Sequence, residues 1–213
     1  MVTLQDVYNL LDCYKMRNIF KILLLILITY STNVMATEKS KYKEAIFAMG
    51  CFWCANAAFL DYETNKNMPG IISIRTCYTV GDILKPTYKN HEGHKEAIKI
   101  TYDPNIISYE KLLDIFWHNI DPFDDQGQFC DKGFSYTSAV YYHSDDQKSL
   151  AEKTKQEYEK TLGQNFVTEI LIAKLFYEAE DYHQDYKTKN PARYKYYYWR
   201  CGRVGRLSEV WGN

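Results

Sequence analysis

The sequence carries almost no charge bias. Its 26 lysines and arginines stand against 27 aspartates and glutamates, a net charge of −1. Nothing in the bulk electrostatics therefore calls for nucleic acid or an anionic membrane surface as partner. No internal repeat and no low-complexity linker divides the 213 residues, so one domain with a real core is expected. Ile22–Ile28 is unbroken but too short to span a bilayer comfortably. A single C-x-x-C is present, with no second pair at metal spacing, which argues against zinc and leaves no metal site expected.

The N-terminal stretch has the layout of a secretory signal peptide. Lys15, Arg17 and Lys21 supply a positive region, Ile22–Ile28 the apolar segment, and Val34-Met35-Ala36 a small-residue cleavage site. Residues 1–36 are accordingly set aside, with Met16 the better start; an uncleaved membrane anchor is the alternative. The mature chain, 37–213, is expected outside the cytoplasm, periplasmic or secreted, where disulfides persist. No stable membrane insertion is expected after cleavage. Of the six cysteines, Cys13 precedes the signal, leaving an odd number. An odd count disfavours a purely structural disulfide framework and leaves a thiol to explain.

What is there centres on residues 44–56. Ala45–Met49 has the pattern of a buried strand and Ala55–Tyr62 that of a helix, with Gly50 allowing a tight turn between them. Cys51 then falls at a helix start, where free N–H groups and the helix dipole favour a thiolate. Cys54 follows one turn later on the same face. Taken alone, Cys51 could equally be a small buried hydrophobe.

Further strands are expected over Ile71–Thr79, Glu96–Tyr102, Phe134–Tyr142 and Phe166–Ala173. Helices are expected from the Ser108 cap to Ile120, from the Ser144-Asp145-Asp146-Gln147 capping box to about Leu162, and over Asp181–Lys189. Thr79–Gly93 and Asp121–Gly133 are loops. The order strand, helix, strand, strand, helix, strand fits an α+β, ferredoxin-like two-layer sandwich (split β-α-β), with additional helices and a long C-terminal coil. The basic, Tyr-rich tail Arg193–Arg206 is taken as a solvated face with aromatic anchors.

Glu96 opens a strand on the face of Ile98 and Ile100. A carboxyl on an apolar face has a raised pKa and can serve as a general acid, although an edge Glu in solvent has the same spacing. Tyr136 enters a strand from a loop, where its hydroxyl can donate to an oxygen or merely pack.

The motifs Gly50-Cys51-Phe52-Trp53, Pro86-Thr87-Tyr88, Gly93-His94-Lys95-Glu96 and Tyr102-Asp103-Pro104 follow one another in order. Phe116-Trp117 with Asp121-Pro122, Asp131-Lys132-Gly133 with Tyr136, Asp181-Tyr182-His183-Gln184 and Asn190-Pro191 complete the series. From Lys43 onward the chain resembles the peptide methionine sulfoxide reductases of the A type, which reduce the S epimer of methionine sulfoxide. The resemblance implies that Cys51 is the nucleophile, Glu96 the acid, and Tyr88 and Tyr136 the hydroxyls that hold the sulfoxide oxygen. Phe52 and Trp53 would wall the methyl group, and Asp131 would order the site. A Cys51 sulfenic acid would then be resolved to a disulfide, by Cys54 or by Cys201 in the flexible-looking Arg200–Arg203 segment. Cys77 and Cys130 are taken as bystanders, and His94 and His183 as satisfied structural histidines.

The same resemblance implies no bound cofactor, an external thioredoxin-like dithiol as reductant, oxidised proteins or peptides as substrates, and a monomer. Asn56, Cys77, Val80 and Thr137 depart from the family's usual Glu, glycines and Arg. They allow a lost ion pair and a slower or less stable enzyme. Two rival readings remain: a general thiol–disulfide oxidoreductase using Cys51 and Cys54, and a non-catalytic module that binds methionine sulfoxide.

Overall fold

A computed structural model describes residues 41–66 and 69–212. The signal over 1–36 and Cys13 lie outside the described residues. The chain runs through β1 (Lys43–Ala48), α1 (Phe52–Lys66), β2 (Ile71–Thr79), β3 (Lys95–Tyr102) and α2 (Tyr109–Trp117). A two-residue ribbon follows, β4 (Gly127–Gln128) and β5 (Asp131–Lys132), then a 3-10 turn over Phe134–Tyr136 and β6 (Ala139–Tyr142). The remainder is α3 (Asp145–Leu162), β7 (Glu169–Ile172), β8 (Phe176–Glu178), α4 (Tyr186–Lys189), α5 (Pro191–Arg200) and α6 (Arg203–Trp211). Among the described residues no helix is long and apolar enough to cross a membrane.

The main sheet has the order β7-β6-β1-β3-β2-β8. Every neighbouring pair is antiparallel except β6 with β7, which α3 joins as a parallel crossover. The inner four strands, β6-β1-β3-β2, are compatible with the split β-α-β expectation. Period-2 alternation decides which side chains meet. Phe47 of β1, Ile98 and Ile100 of β3 and Val140 of β6 enter one buried cluster with Phe52, Ala55 and Phe59 of α1 and Leu112, Leu113, Ile115, Phe116 and Trp117 of α2. Each such buried Phe or Leu contributes on the order of 1.5–3 kcal/mol. The opposite face is a smaller cluster of Ile46, Ala48, Cys77, Ala97, Ala139 and Tyr141. There the side chain of Lys95, 1% exposed, is paired with Glu169 at 2.6 Å.

Ser108 caps α2 by accepting from Lys111 N–H, and Ser144 caps α3 by accepting from Gln147 N–H. Gln147 does not complete the reciprocal box. Its amide oxygen takes His143 N–H and its amide nitrogen donates to Glu44 O, which ties α3 to β1.

Four expectations are corrected. The Phe134–Tyr142 strand is interrupted at its start: Tyr136 N–H bonds Gly133 O and Thr137 N–H bonds Phe134 O, closing a 3-10 turn before β6. The Phe166–Ala173 strand shrinks to β7, because Phe166 and Val167 direct their amides to Glu159 and Pro122 instead. The long C-terminal coil is two helices. Tyr194, Tyr197 and Tyr198 recur at helical spacing and pack on Cys51, Cys54 and Ala57 of the α1 start, while Tyr196 and Trp199 face solvent. The tail is also not a wholly solvated face, since Arg203 is buried and Arg206 pairs with Asp121.

Candidate active site

Gly50 makes the turn from β1 into α1 with φ +78°, and a Cβ there would lie 2.5 Å from Gln128 Cβ. Only glycine suits both the left-handed backbone and the close approach. Cys51 follows as the cap residue, its carbonyl accepting from Cys54 and Ala55 N–H. It offers no side-chain cap, so the first amide of α1 needs another acceptor. Glu96, one strand away on β3, provides it: Phe52 N–H donates to Glu96 Oε2 at 3.0 Å.

Cys51, Phe52, Trp53, Tyr88, Glu96, Asp131, Tyr136 and Tyr197 together line a cavity of about 50 Å³. Every residue expected from the sequence to act on a sulfoxide, Cys51, Glu96, Tyr88, Tyr136, Phe52, Trp53 and Asp131, lies there. A larger groove of about 590 Å³ between α1 and α5, lined by residues such as Asp61, Lys187 and Tyr194, has no cysteine in its lining.

The electrostatics differ from the expectation at Cys51 and agree with it at Glu96. Burial, with the neighbouring Cys54 sulfur, pushes the Cys51 thiol well above its ordinary value. A hydrogen bond from the Tyr197 hydroxyl lowers it, but by less than burial raises it. Cys54 is lowered, chiefly by the hydrogen bond from Cys51, with Arg203 adding to the effect. The Cys51 thiol thus donates to the Cys54 sulfur. Glu96 is raised to about 8 by burial, against the Phe52 hydrogen bond, and is a neutral carboxylic acid near neutral pH. Burial also raises both phenols, Tyr88 to about 12 and Tyr136 further, so both keep their protons for donation.

Three participants escaped the sequence reading. The Tyr197 hydroxyl bonds the Asp131 carboxylate and the Cys51 sulfur, bringing α5 over the nucleophile. The helical spacing of the tail tyrosines was the available signal. Cys130 is no bystander: it is bonded to Cys201, with Cα atoms 4.8 Å apart. Cys201 thus sits in a fixed turn between α5 and α6, while Cys51, Cys54 and Cys77 remain free thiols. A carboxylate oxygen of Asp131 and both disulfide sulfurs lie within 4.8 Å of one another. Glu180 and His183 form the third group. His183 was expected to be satisfied, yet its Nε2 and the Nδ1 of buried His94 have no hydrogen-bond partner.

The departures are separate features. Asn56 is buried with Oδ1 unpartnered, and Thr137 bonds Phe134 O within its own turn. No hydrogen bond joins them. Cys77 packs in the second core, and Val80 adopts φ +73°.

A sequence profile described as "Peptide methionine sulfoxide reductase" matches residues 43–213. The peptide methionine sulfoxide reductase MsrA of Bacillus licheniformis is 44% identical over 182 residues, covering 81% of this chain and 95% of its own length. That of Bacillus subtilis is 46% identical over 180 residues, with 81% and 98% covered. Among solved structures, Mxr1 from Saccharomyces cerevisiae in reduced form superposes with a TM-score of 0.66 at 30% identity, covering 73% of this chain and 89% of that one. Methionine sulfoxide reductase A of Corynebacterium diphtheriae gives 0.64 at 26% identity, covering 72% and 77%.

Proposed function

The chain belongs to the peptide methionine sulfoxide reductase family and is a thiol-dependent reductase of methionine-S-sulfoxide; from that premise we propose the roles of its residues. The S-methyl group lies against Phe52 and Trp53, where area and sulfur–aromatic contact favour it. The sulfoxide oxygen is held by the Tyr88 and Tyr136 phenols and takes a proton from neutral Glu96, which makes the sulfur electrophilic. Cys51 passes its proton to Cys54 as it attacks. The oxygen ends on Cys51 as sulfenic acid and methionine leaves. Cys54 condenses with the sulfenic acid, releasing water and closing a disulfide.

Cys54 is preferred to Cys201 as the resolving thiol because it is hydrogen-bonded to Cys51, whereas Cys201 is already bonded to Cys130. An external thioredoxin-like dithiol restores the enzyme. Cys51 and Cys54 are only 5% and 2% exposed, while Cys130 is open to solvent, so the external dithiol reduces the Cys130–Cys201 disulfide, and the two thiols so formed reduce Cys51–Cys54 by exchange and close their own disulfide again. Export by residues 1–36, and oxidised proteins or peptides as substrates, complete the reading.

The single observation that carries it is one cavity holding a thiol, a carboxyl raised by burial and two protonated phenols. The test is turnover of each methionine sulfoxide epimer with a dithiol reductant. The S epimer alone should yield methionine, and Cys51→Ser should yield none. Equal rates on both epimers, or an active Cys51→Ser, would refute the assignment.

A further inference from the structure

The cavity recognises sulfur through two features that come from distant parts of the chain. Trp53 stands on α1, and Tyr88 lies in the loop between β2 and β3. Neither element fixes the other by sequence. Behind them, outside the cavity lining, lie two residues of the segment after β8.

His183 is the first. Its side chain is 1% exposed. The Trp53 indole N–H donates to His183 Nδ1 at 3.0 Å. Nδ1 must then be unprotonated, which places the ring proton on Nε2. Nε2 has no hydrogen-bond partner and lies 4.0 Å from Glu180 Oε2. The imidazole also packs centroid to centroid at 4.9 Å from Phe52 and 4.7 Å from Tyr88.

Glu180 is the second. Its Oε1 accepts Tyr88 N–H at 2.9 Å, and its Oε2 accepts the Tyr78 hydroxyl at 2.9 Å. Tyr78 is the residue opposite Glu96 in the β2–β3 register. One carboxylate thus ties the loop of the oxygen-binding phenol to the strand beside the acid.

We propose that Glu180 and His183 are positioning residues that hold Trp53 and Tyr88 at a set separation and so determine which sulfoxide epimer the enzyme accepts. The inference rests on the pocket roles assigned above and adds the source of its handedness. The two epimers differ only in how methyl, oxygen, side chain and lone pair are arranged about sulfur. A pocket distinguishes them when its methyl wall and its oxygen donors cannot shift relative to the nucleophile. Misplacement of about 1 Å suffices to degrade a reacting geometry by about two orders of magnitude. Glu180 holds one feature through Tyr88 N–H and His183 the other through the Trp53 indole, and only two residues of chain separate them.

The test compares His183→Phe with His183→Gln in the full-length enzyme, using each epimer of a blocked methionine sulfoxide with dithiothreitol. Phenylalanine keeps a flat ring but removes the Nδ1 acceptor. Its KM for the S epimer should rise about tenfold, with a smaller change in kcat, and the S-over-R ratio of kcat/KM should fall about tenfold, as for one lost hydrogen bond. Glutamine, whose amide oxygen can accept the indole N–H, should recover most of both. Glu180→Ala should shift KM and selectivity in the same direction, and Glu180→Gln should partly restore them through the Tyr88 N–H bond. A folded His183→Phe enzyme with unchanged KM and selectivity overturns the proposal. If His183→Phe does not fold, Trp53→Phe removes the same hydrogen bond from the other side, and an unchanged selectivity there overturns it equally. A wild type that reduces neither epimer brings down the pocket reading and this inference together. A selective wild type with unaffected variants brings down the inference alone.

Discussion

Phe52 N–H and the Glu96 carboxyl meet at 3.0 Å across 44 residues of sequence. The acid of one strand therefore caps the helix that presents the nucleophile. The same bond holds Glu96 beside Cys51.

This predicts the pH dependence. With Glu96 raised to about 8 by burial, kcat/KM should fall as pH rises through that value and the acid loses its proton. Glu96→Gln should lower kcat/KM by about 10²-fold or more. It should also abolish that limb. Stability follows with the same sign. A carboxyl whose folded pKa lies above its usual 4.5 supports the fold fully below 4.5 and loses that support as pH rises through about 8. The melting temperature should decline over that range in the wild type and decline less in Glu96→Gln.

The resolving step can be read by trapping. In Cys54→Ser, a single turnover should release methionine, more slowly because the acceptor of the Cys51 proton is gone, and leave Cys51 as sulfenic acid that a dimedone-type reagent captures. Wild-type enzyme turned over without reductant should instead show a Cys51–Cys54 disulfide by peptide mass spectrometry. A Cys51–Cys201 disulfide as the first product would assign resolution to the C-terminal cysteine.

The Cys130–Cys201 pair should matter for the protein reductant above all. If electrons enter there, the ratio of thioredoxin-supported to dithiothreitol-supported turnover should fall on the order of tenfold in Cys130→Ser and Cys201→Ser, because a protein dithiol must attack an accessible sulfur. An unchanged ratio would leave the pair a structural clasp between the Asp131 loop and α6.

Val80 holds a left-handed backbone, φ +73°. A β-branched side chain in that region is strained. Val80→Gly should raise stability by about 1 kcal/mol. That corresponds to a rise of about 2–4 °C in Tm for a chain of this size. Differential scanning calorimetry checks it, and a lower Tm would show that Val80 packs well enough to offset its backbone.

The local frame of the site is written along the chain. The apolar run, Gly50 and the helical pattern after it are neighbours along the chain, so the β1–turn–α1 junction with Cys51 at its head was legible. Period-2 alternation alone placed Glu96 on the face of Ile98 and Ile100. Serine caps gave the starts of α2 and α3. Tertiary structure decided the rest. Burial raised Cys51 and Glu96, because desolvation sums over neighbours from α1, β3, the Asp131 loop and α5, whereas the hydrogen bond from Cys51 lowered Cys54. The union of Cys130 with Cys201 spans 71 residues, and only the packing of α5 and α6 brings those sulfurs together. The C-terminal helices form because Tyr194, Tyr197 and Tyr198 find an apolar surface at the start of α1, a surface that does not exist until the sheet and α1 have assembled.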